Sequence, residues 1–431
     1  MRILYIATSF PKPEMGSTIY TDLAEALKAA GHHVTVTVTE QKRNQRHTTV
    51  TRERGLDVVR IMTGNYYDVG LIRKGITSLC IPFRMRRGIR KYVPSDKYDL
   101  VLYEAPPVTN ARLVKWAKRR FRCPSYLMLK DIFPQNAVDI GIMKKGSLLH
   151  RYFRMKEKQL YESASIIGCM SEANRKYILE SEPGLNADKV ELFPNTICLR
   201  DSAKSDVLSI RKKYSIPEDA CVFLFGGNMG RPQCVDLLCK SVVALKEDKN
   251  LFFLFVGRGT DRCKLEKTIR ENGVENAISL CNMHREEFES IACAADVGLV
   301  VLDPRFTIPN YPSRILTYMK YGKPVLAATD RVTDLRELIS GADCGQWVWS
   351  GDPEAFIAAV REIADSSRLA DMGNNGRIYA ERNFPVQKSV EILESHFALC
   401  EQISENESAA VEQNAKQNIH IKKKSLEAVR G

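Results

Sequence analysis

Ser313, Arg314 and Thr317 lie in the stretch Tyr311–Ala327, YPSRILTYMKYGKPVLA, and their spacing places them on the first turn and a half of one short helix. Pro312 and Ser313 predict its start, with the Ser313 hydroxyl accepting from an orphan backbone N–H. Gly322 and Pro324 predict its end, and Val325–Ala327 the buried parallel strand that follows. An arginine beside the positive end of a helix is chemistry for holding an anion such as a diphosphate. The same residues also describe an ordinary helix between two strands.

In open parallel α/β sheets, ligands bind beyond the carboxyl ends of the strands. The loops predicted there hold the other candidates. After the first strand, Gly16 and Ser17 open a helix where a phosphate can approach closely. That loop is not G-x-G-x-x-G, which argues against a dinucleotide site. Phe225–Gln233, FGGNMGRPQ, brings Gly226, Gly227 and Gly230 around Asn228. Its backbone N–H groups could cradle an anion, with Asn228, Arg231 and Gln233 as side-chain donors, or it could be a tight turn. A second glycine loop, Gly257–Thr260, has the same two readings. Lys130 and Asp131 end another strand, where Asp131 is either a polar group facing a substrate or a cap for the next turn. Asp303–Tyr311 and Glu104–Pro107 lie at comparable edges.

The elements that must position these loops alternate strand and helix in two blocks. Strands are predicted at Ile3–Ala7, His33–Thr39, Leu100–Tyr103, Ser125–Lys130, Ser165–Cys169 and Lys189–Phe193 in the first block. In the second they fall at Cys221–Phe225, Leu251–Val256, Ala277–Leu280, Val297–Leu302, Pro324–Ala328 and Gly345–Trp349. This predicts an α/β protein with two Rossmann-like, doubly wound domains. The expected division is 1–200, 201–386, a last amphipathic helix over 387–400 that returns to the first domain, and a polar, disordered tail over 401–431.

The charge is lopsided. The chain carries +12 overall, but residues 1–200 hold all of the excess. Within 69–95 stand Arg73, Lys74, Arg84, Arg86, Arg87, Arg90 and Lys91, with no acid and with apolar residues interleaved. Lys144, Lys145, Arg151, Arg154, Lys156 and Lys158 form a second such stretch. Amphipathic basic segments suit an anionic membrane surface, or they are simply solvated helix faces. Nucleic acid is not expected, because no stacking platform accompanies the charge. The 12 cysteines show no C-x-x-C and the seven histidines no metal-ligand spacing, so buried thiols in a reducing compartment are expected, and no metal site. No apolar run is long enough to span a bilayer.

Three segments carry a family resemblance: KDIFPQNAVDIG at 130–141, GNMGRPQ at 227–233 and PSRILTYMKYGKPV at 312–325. With AGHHVTV at 30–36, they make residues 1–400 resemble a retaining glycosyltransferase of the GT-B architecture, in glycosyltransferase family 4. The branch it most resembles builds capsule and O-antigen polysaccharides and includes N-acetyl-L-fucosamine transferases. The resemblance implies two domains facing a cleft, a nucleotide sugar (UDP-linked) on the second and a lipid-diphosphate-linked saccharide acceptor on the first. It implies no cofactor or metal and a cytoplasmic protein on the inner face of the plasma membrane. Arg314 and Ser313 would meet the donor diphosphate, with Gly16 across the cleft. Asn228 and Gln233 stand where many members have an arginine and a lysine. Asn282, Met283 and His284 would lie near the base, and Asp131 would face the sugar. Arg314 and Asp131 are thus the candidate catalytic residues. Pro309 and Thr317 occupy the places of two glutamates common in the family. A GT-B nucleotide-sugar epimerase and a non-enzymatic binding protein with a basic face are the alternative readings.

Overall fold

The computed structural model describes residues 1–45, 47–65, 70–95, 97–199, 207–281, 283 and 285–397. The expected tail, His284 and Asn282 lie outside these residues, as do the side chains of Arg73 and Lys74. The first sheet has eight strands: β1 Arg2–Ala7, β2 His33–Glu40, β3 Thr49–Glu53, β4 Leu56–Met62, β5 Leu100–Ala105, β6 Ser125–Leu129, β7 Ile166–Cys169 and β8 Val190–Leu192. Their order is β3-β4-β2-β1-β5-β6-β7-β8. The second has six: β9 Cys221–Gly226, β10 Leu251–Val256, β11 Ala277–Leu280, β12 Val297–Val301, β13 Val325–Thr329 and β14 Gly345–Trp349, ordered β11-β10-β9-β12-β13-β14.

Every pairing is parallel except β3 with β4, an antiparallel hairpin turned at Arg54 and Gly55, both at positive φ. This hairpin is the part of the first sheet that the strand pattern did not predict. Most of β3 is exposed, so it has no apolar period to read.

Both sheets bury both faces, which is why their strands read as apolar runs. Successive residues of β1 feed opposite cores: Ile3, Tyr5 and Ala7 one, Leu4 and Ile6 the other. Phe223 and Phe225 of β9 likewise enter one core, Val222 and Leu224 the other. Strand order reverses beside β1 in the first sheet and beside β9 in the second, and each reversal opens a crevice at the carboxyl ends.

The two halves exchange elements. Leu302, Phe306 and Ile308, from the chain after β12, are buried among first-sheet residues such as Ile132 and Ile140. Helix 386–397 places Val386, Val390, Leu393 and Phe397 in the core behind β1 and β2. His32 Nε2 meets Glu394 Oε1 at 2.8 Å on that helix, and Thr196 Oγ1 lies 2.8 Å from Ser389 Oγ. Where the chain crosses between halves it pairs with itself: Ile197 N donates to Phe384 O, and Val386 N to Ile197 O.

Truncating a buried leucine costs about 2–5 kcal/mol. Leu393→Ala should therefore lower the first unfolding transition in calorimetry by several degrees, although it lies outside the first sheet's own stretch of chain. An unchanged transition would show that helix 386–397 is not part of that core.

Candidate active site

A cavity of about 940 Å³ lies between the carboxyl ends of the two sheets. Ser17 and Asp131 line it from the first sheet, and Gly227, Asn228, Gln233, Met283, Ser313, Arg314 and Thr317 from the second. Gly16 and Arg231 do not line it.

Arg314 forms one wall. Its guanidinium carbon sits 4.6 Å from the centroid of the Phe225 ring, and Nη1 is buried without a hydrogen-bond partner. Burial holds its pKa below the usual arginine range. A Cβ at Gly227 would lie 3.7 Å from the guanidinium, in ordinary contact, and glycine is favoured there by its φ of 121°. The helix itself is only Arg314–Lys320, and Ser313 has helical backbone angles and no capping bond from its side chain. The serine cap is thus corrected: a capping residue needs extended backbone angles, and Ser313 is already helical. Tyr318 anchors the helix by donating to Leu299 O at 3.2 Å and accepting from Gly226 N at 3.0 Å.

Most of the backbone donors expected to form a cradle at Phe225–Gln233 are turned into the protein. The N–H of Gly227 donates to Val256 O, that of Met229 to Arg258 O, and that of Gly230 to Gln233 Oε1. With Gly226 N on Tyr318, these donors are spent inside the protein. Asn228 Nδ2 donates to Gln233 Oε1 at 2.9 Å, so that pair is tied as well. The glycines serve close packing: a Cβ at Gly257 would stand 1.8 Å from Gly227 O, and one at Gly259 2.1 Å from Met229 O. The two glycine loops therefore press backbone on backbone, and this contact carries Arg258 to the cavity edge. Arg231 is exposed on the short turn Arg231–Gln233 that follows.

On the opposite wall, Thr18 rather than Ser17 starts the helix Ile19–Ala29, through reciprocal bonds with Thr21. Gly16 turns its carbonyl to Arg54. Asp131 Oδ2 accepts from Asn136 Nδ2 at 2.7 Å, while its Oδ1 is buried and unpartnered. Burial pushes the Asp131 carboxyl up to about 6. The neighbouring Lys130 donates to Asn195 Oδ1 at 2.9 Å beneath the Phe193 ring, and burial pushes it down to about 8. Asn195 in turn donates to Tyr311 O of the second half. Glu104, at the end of β5, accepts from Thr8 N and Tyr5 OH, joins β1 to β5 and lies outside the cavity wall.

Asn136, Asn310, Arg258 and Glu289 also line the cavity and were not singled out as site residues. Arg258 sits in a glycine loop, and Asn310 in a loop, already placed in the crevice. Asn136 and Glu289 carry no such local signal. The basic residues occupy the helix Leu71–Tyr92, away from the cavity, with Arg84, Arg86, Arg87, Arg90 and Lys91 exposed. In the second basic stretch Arg154 is spent on Glu157 and Glu182, and Lys156 is buried against Tyr152. Among the described residues the cysteines are free thiols, and no group of His, Cys, Asp or Glu gathers that could hold a metal.

Two parallel-sheet domains set face to face across a cleft are the GT-B fold of glycosyltransferases. The chain belongs to those enzymes: residues 16–196 match the glycosyl transferase 4-like domain, and residues 220–366 match glycosyl transferases group 1. It is 26% identical over 316 residues to the probable glycosyltransferase WbjE of Pseudomonas aeruginosa, covering 70% of this chain and 71% of that one. It is 25% identical over 208 residues to the putative colanic acid biosynthesis glycosyl transferase WcaI of Escherichia coli K12, covering 47% of this chain and 49% of the other. HepE of Anabaena, solved with UDP and glucose, superposes with a TM-score of 0.67 at 15% identity over 92% of this chain and 99% of its own.

Asp131 binds its proton more tightly folded than unfolded, since its ordinary value is about 3.9. Stability therefore falls as pH rises from about 4 to 6, and the loss persists above that. Asp131→Asn, neutral and of the same shape, should melt higher than the parent at pH 8, with a much smaller gap at pH 4. Equal gaps at both pH values would refute the buried-carboxylate assignment.

Proposed function

We propose that this glycosyltransferase moves a sugar from a UDP-sugar to a lipid-linked saccharide during bacterial surface polysaccharide synthesis, with retention at the anomeric carbon. The observation that carries the reading is Arg314: a buried guanidinium with a free N–H, lining the cavity that both halves enclose. Such a group waits for an anion, and a nucleotide sugar's diphosphate matches it in charge and geometry. Support for UDP comes from HepE, and for polysaccharide synthesis from WcaI.

The reaction breaks the sugar's anomeric C–O bond and leaves negative charge on the diphosphate. A cation fixed there beforehand stabilises that charge without reorganising. Arg314 takes this role, and Thr317 and Met283 lie along the nucleotide. Asp131 meets the sugar from the other wall. Retention fits attack from the side of the leaving phosphate, which itself takes the acceptor's proton. The sequence has no D-x-D to hold a divalent cation, which supports a metal-independent mechanism. N-acetyl-L-fucosamine-type donors are the first to try, given the motifs at 130–141 and 312–325.

The membrane would be met by the first domain. On helix Leu71–Tyr92, Phe83 is 65% exposed beside Arg84 and Arg87, and Leu79 is exposed one turn back. Helix Leu148–Ser163, which shares the neighbouring helix Ala111–Phe121, exposes Leu148 at 85% and Leu149 at 56%. Apolar side chains among cations are the composition of an interfacial anchor. No helix among the described residues is long and apolar enough to cross a membrane.

Removing one preorganised charge-stabilising donor costs about 10²–10³ in kcat. Arg314→Ala should lose transfer on that scale and still melt near the parent temperature; parental rates would defeat the site assignment. Each cation contributes about 1 kcal/mol at an anionic surface. Replacing Arg84, Arg87 and Lys91 with alanine should cut flotation with phosphatidylglycerol vesicles about 100-fold, with kcat on a soluble acceptor unchanged. Equal flotation of both proteins would remove this helix from the membrane contact.

A further inference from the structure

Four buried polar atoms of the cavity lining have no hydrogen-bond partner: Asp131 Oδ1, Asn136 Oδ1, Asn310 Nδ2 and Arg314 Nη1. They divide by chemistry. The two on the first half accept hydrogen bonds, and the two on the second donate. The Asn136 amide donates one N–H from Nδ2 to Asp131 Oδ2 at 2.7 Å, and Oδ1 on the other side of the amide is left buried without a partner. A phosphate satisfies the donors and is repelled by the acceptors. Hydroxyl or amide N–H groups satisfy the acceptors. Leaving either set unpaired in a buried wall costs free energy.

We infer that Asn136, oriented by Asp131, is a specificity-determining residue that accepts a hydrogen bond from the sugar of the nucleotide sugar, while Asn310 joins Arg314 on its phosphate side. The inference rests on the donor reading above. The elements bearing the two asparagines are tied together across the cleft. Thr307 donates to Asp139 from its backbone N at 2.7 Å and from Oγ1 at 3.0 Å. Asp139 closes the five-residue helix Gln135–Asp139 that carries Asn136, and Thr307 lies three residues before Asn310. Loop 303–311 is further held by Thr333 Oγ1, which donates to Asn310 O at 2.6 Å. The sugar subsite is thereby assembled from both halves.

Calorimetric titration of the full chain with UDP, UDP-N-acetyl-L-fucosamine, UDP-glucose, UDP-galactose and the 2-acetamido counterparts of the last two tests this. At least one sugar should bind the parent more tightly than UDP. Asn136→Ala should keep the UDP affinity and lose about tenfold for that sugar. Monodeoxyfluoro derivatives of the same sugar remove one hydroxyl donor at a time. One of them should lose about tenfold on the parent and nothing further on Asn136→Ala. Parental affinity of Asn136→Ala for every ligand overturns the inference, as does a sugar that adds nothing over UDP. If Asn136→Ala does not fold, the fluoro series on the parent decides, and no loss at any position overturns it. Failure of the parent to bind UDP or any of its sugars sinks the donor reading itself. An effect of Asn136→Ala confined to the KM of the saccharide acceptor also refutes this assignment.

Discussion

A guanidinium buried without a carboxylate sets the terms for the rest of this structure. Taking a charge out of water is costly, and Arg314 is shifted toward its neutral form as a result. The face of Phe225 offsets part of that cost. The glycine loops after β9 and β10 meet a separate requirement of backbone packing. Only residues without a Cβ allow the two backbones to touch. What looked like an anion cradle in the sequence is in the main a contact between two loops.

The opposite wall shows a similar tension. Asp131 and Lys130 are adjacent at the end of β6, and burial pushes each toward its neutral form. Neither is neutralised by the other. Lys130 is turned to Asn195 and so to the second half of the chain, and Asp131 is turned to Asn136. The protein therefore holds a strained acid at the cavity and uses the neighbouring base as a strut between domains. Sites of this kind trade stability for a poised group.

The exchanged elements explain how two separately built sheets hold a cavity to tolerances set by hydrogen bonds. Phe306 and Ile308 are buried in the core of the opposite half, and helix 386–397 closes the return path. A simple hinge would let the walls drift. Apolar anchorage of the loop that bears Asn310, and of the chain leading to Arg314, keeps both walls in register.

The sequence by itself determined the two α/β blocks, the interior strands other than β4, and the loops at their carboxyl ends. Strands buried on both faces must be apolar runs, and glycine, proline and capping residues mark where they stop. Arg314, Asp131, Asn228 and Gln233 were legible because they sit directly at such ends. In the hairpin, β3 was not legible, since an exposed edge strand needs no apolar period, while β4 is a buried apolar run that the strand prediction omits. Tertiary structure alone decided which donors were still free. The N–H groups of Gly226, Gly227, Met229 and Gly230 were taken up by the Tyr318 hydroxyl, by carbonyls from β10 and its loop and by the Gln233 side chain, and Arg231 was left outside. It also brought Asn136 and Asn310 to one cavity from 174 positions apart in the chain. Hydrogen-bond partnership over such separations depends on packing, and no local pattern of residues encodes it.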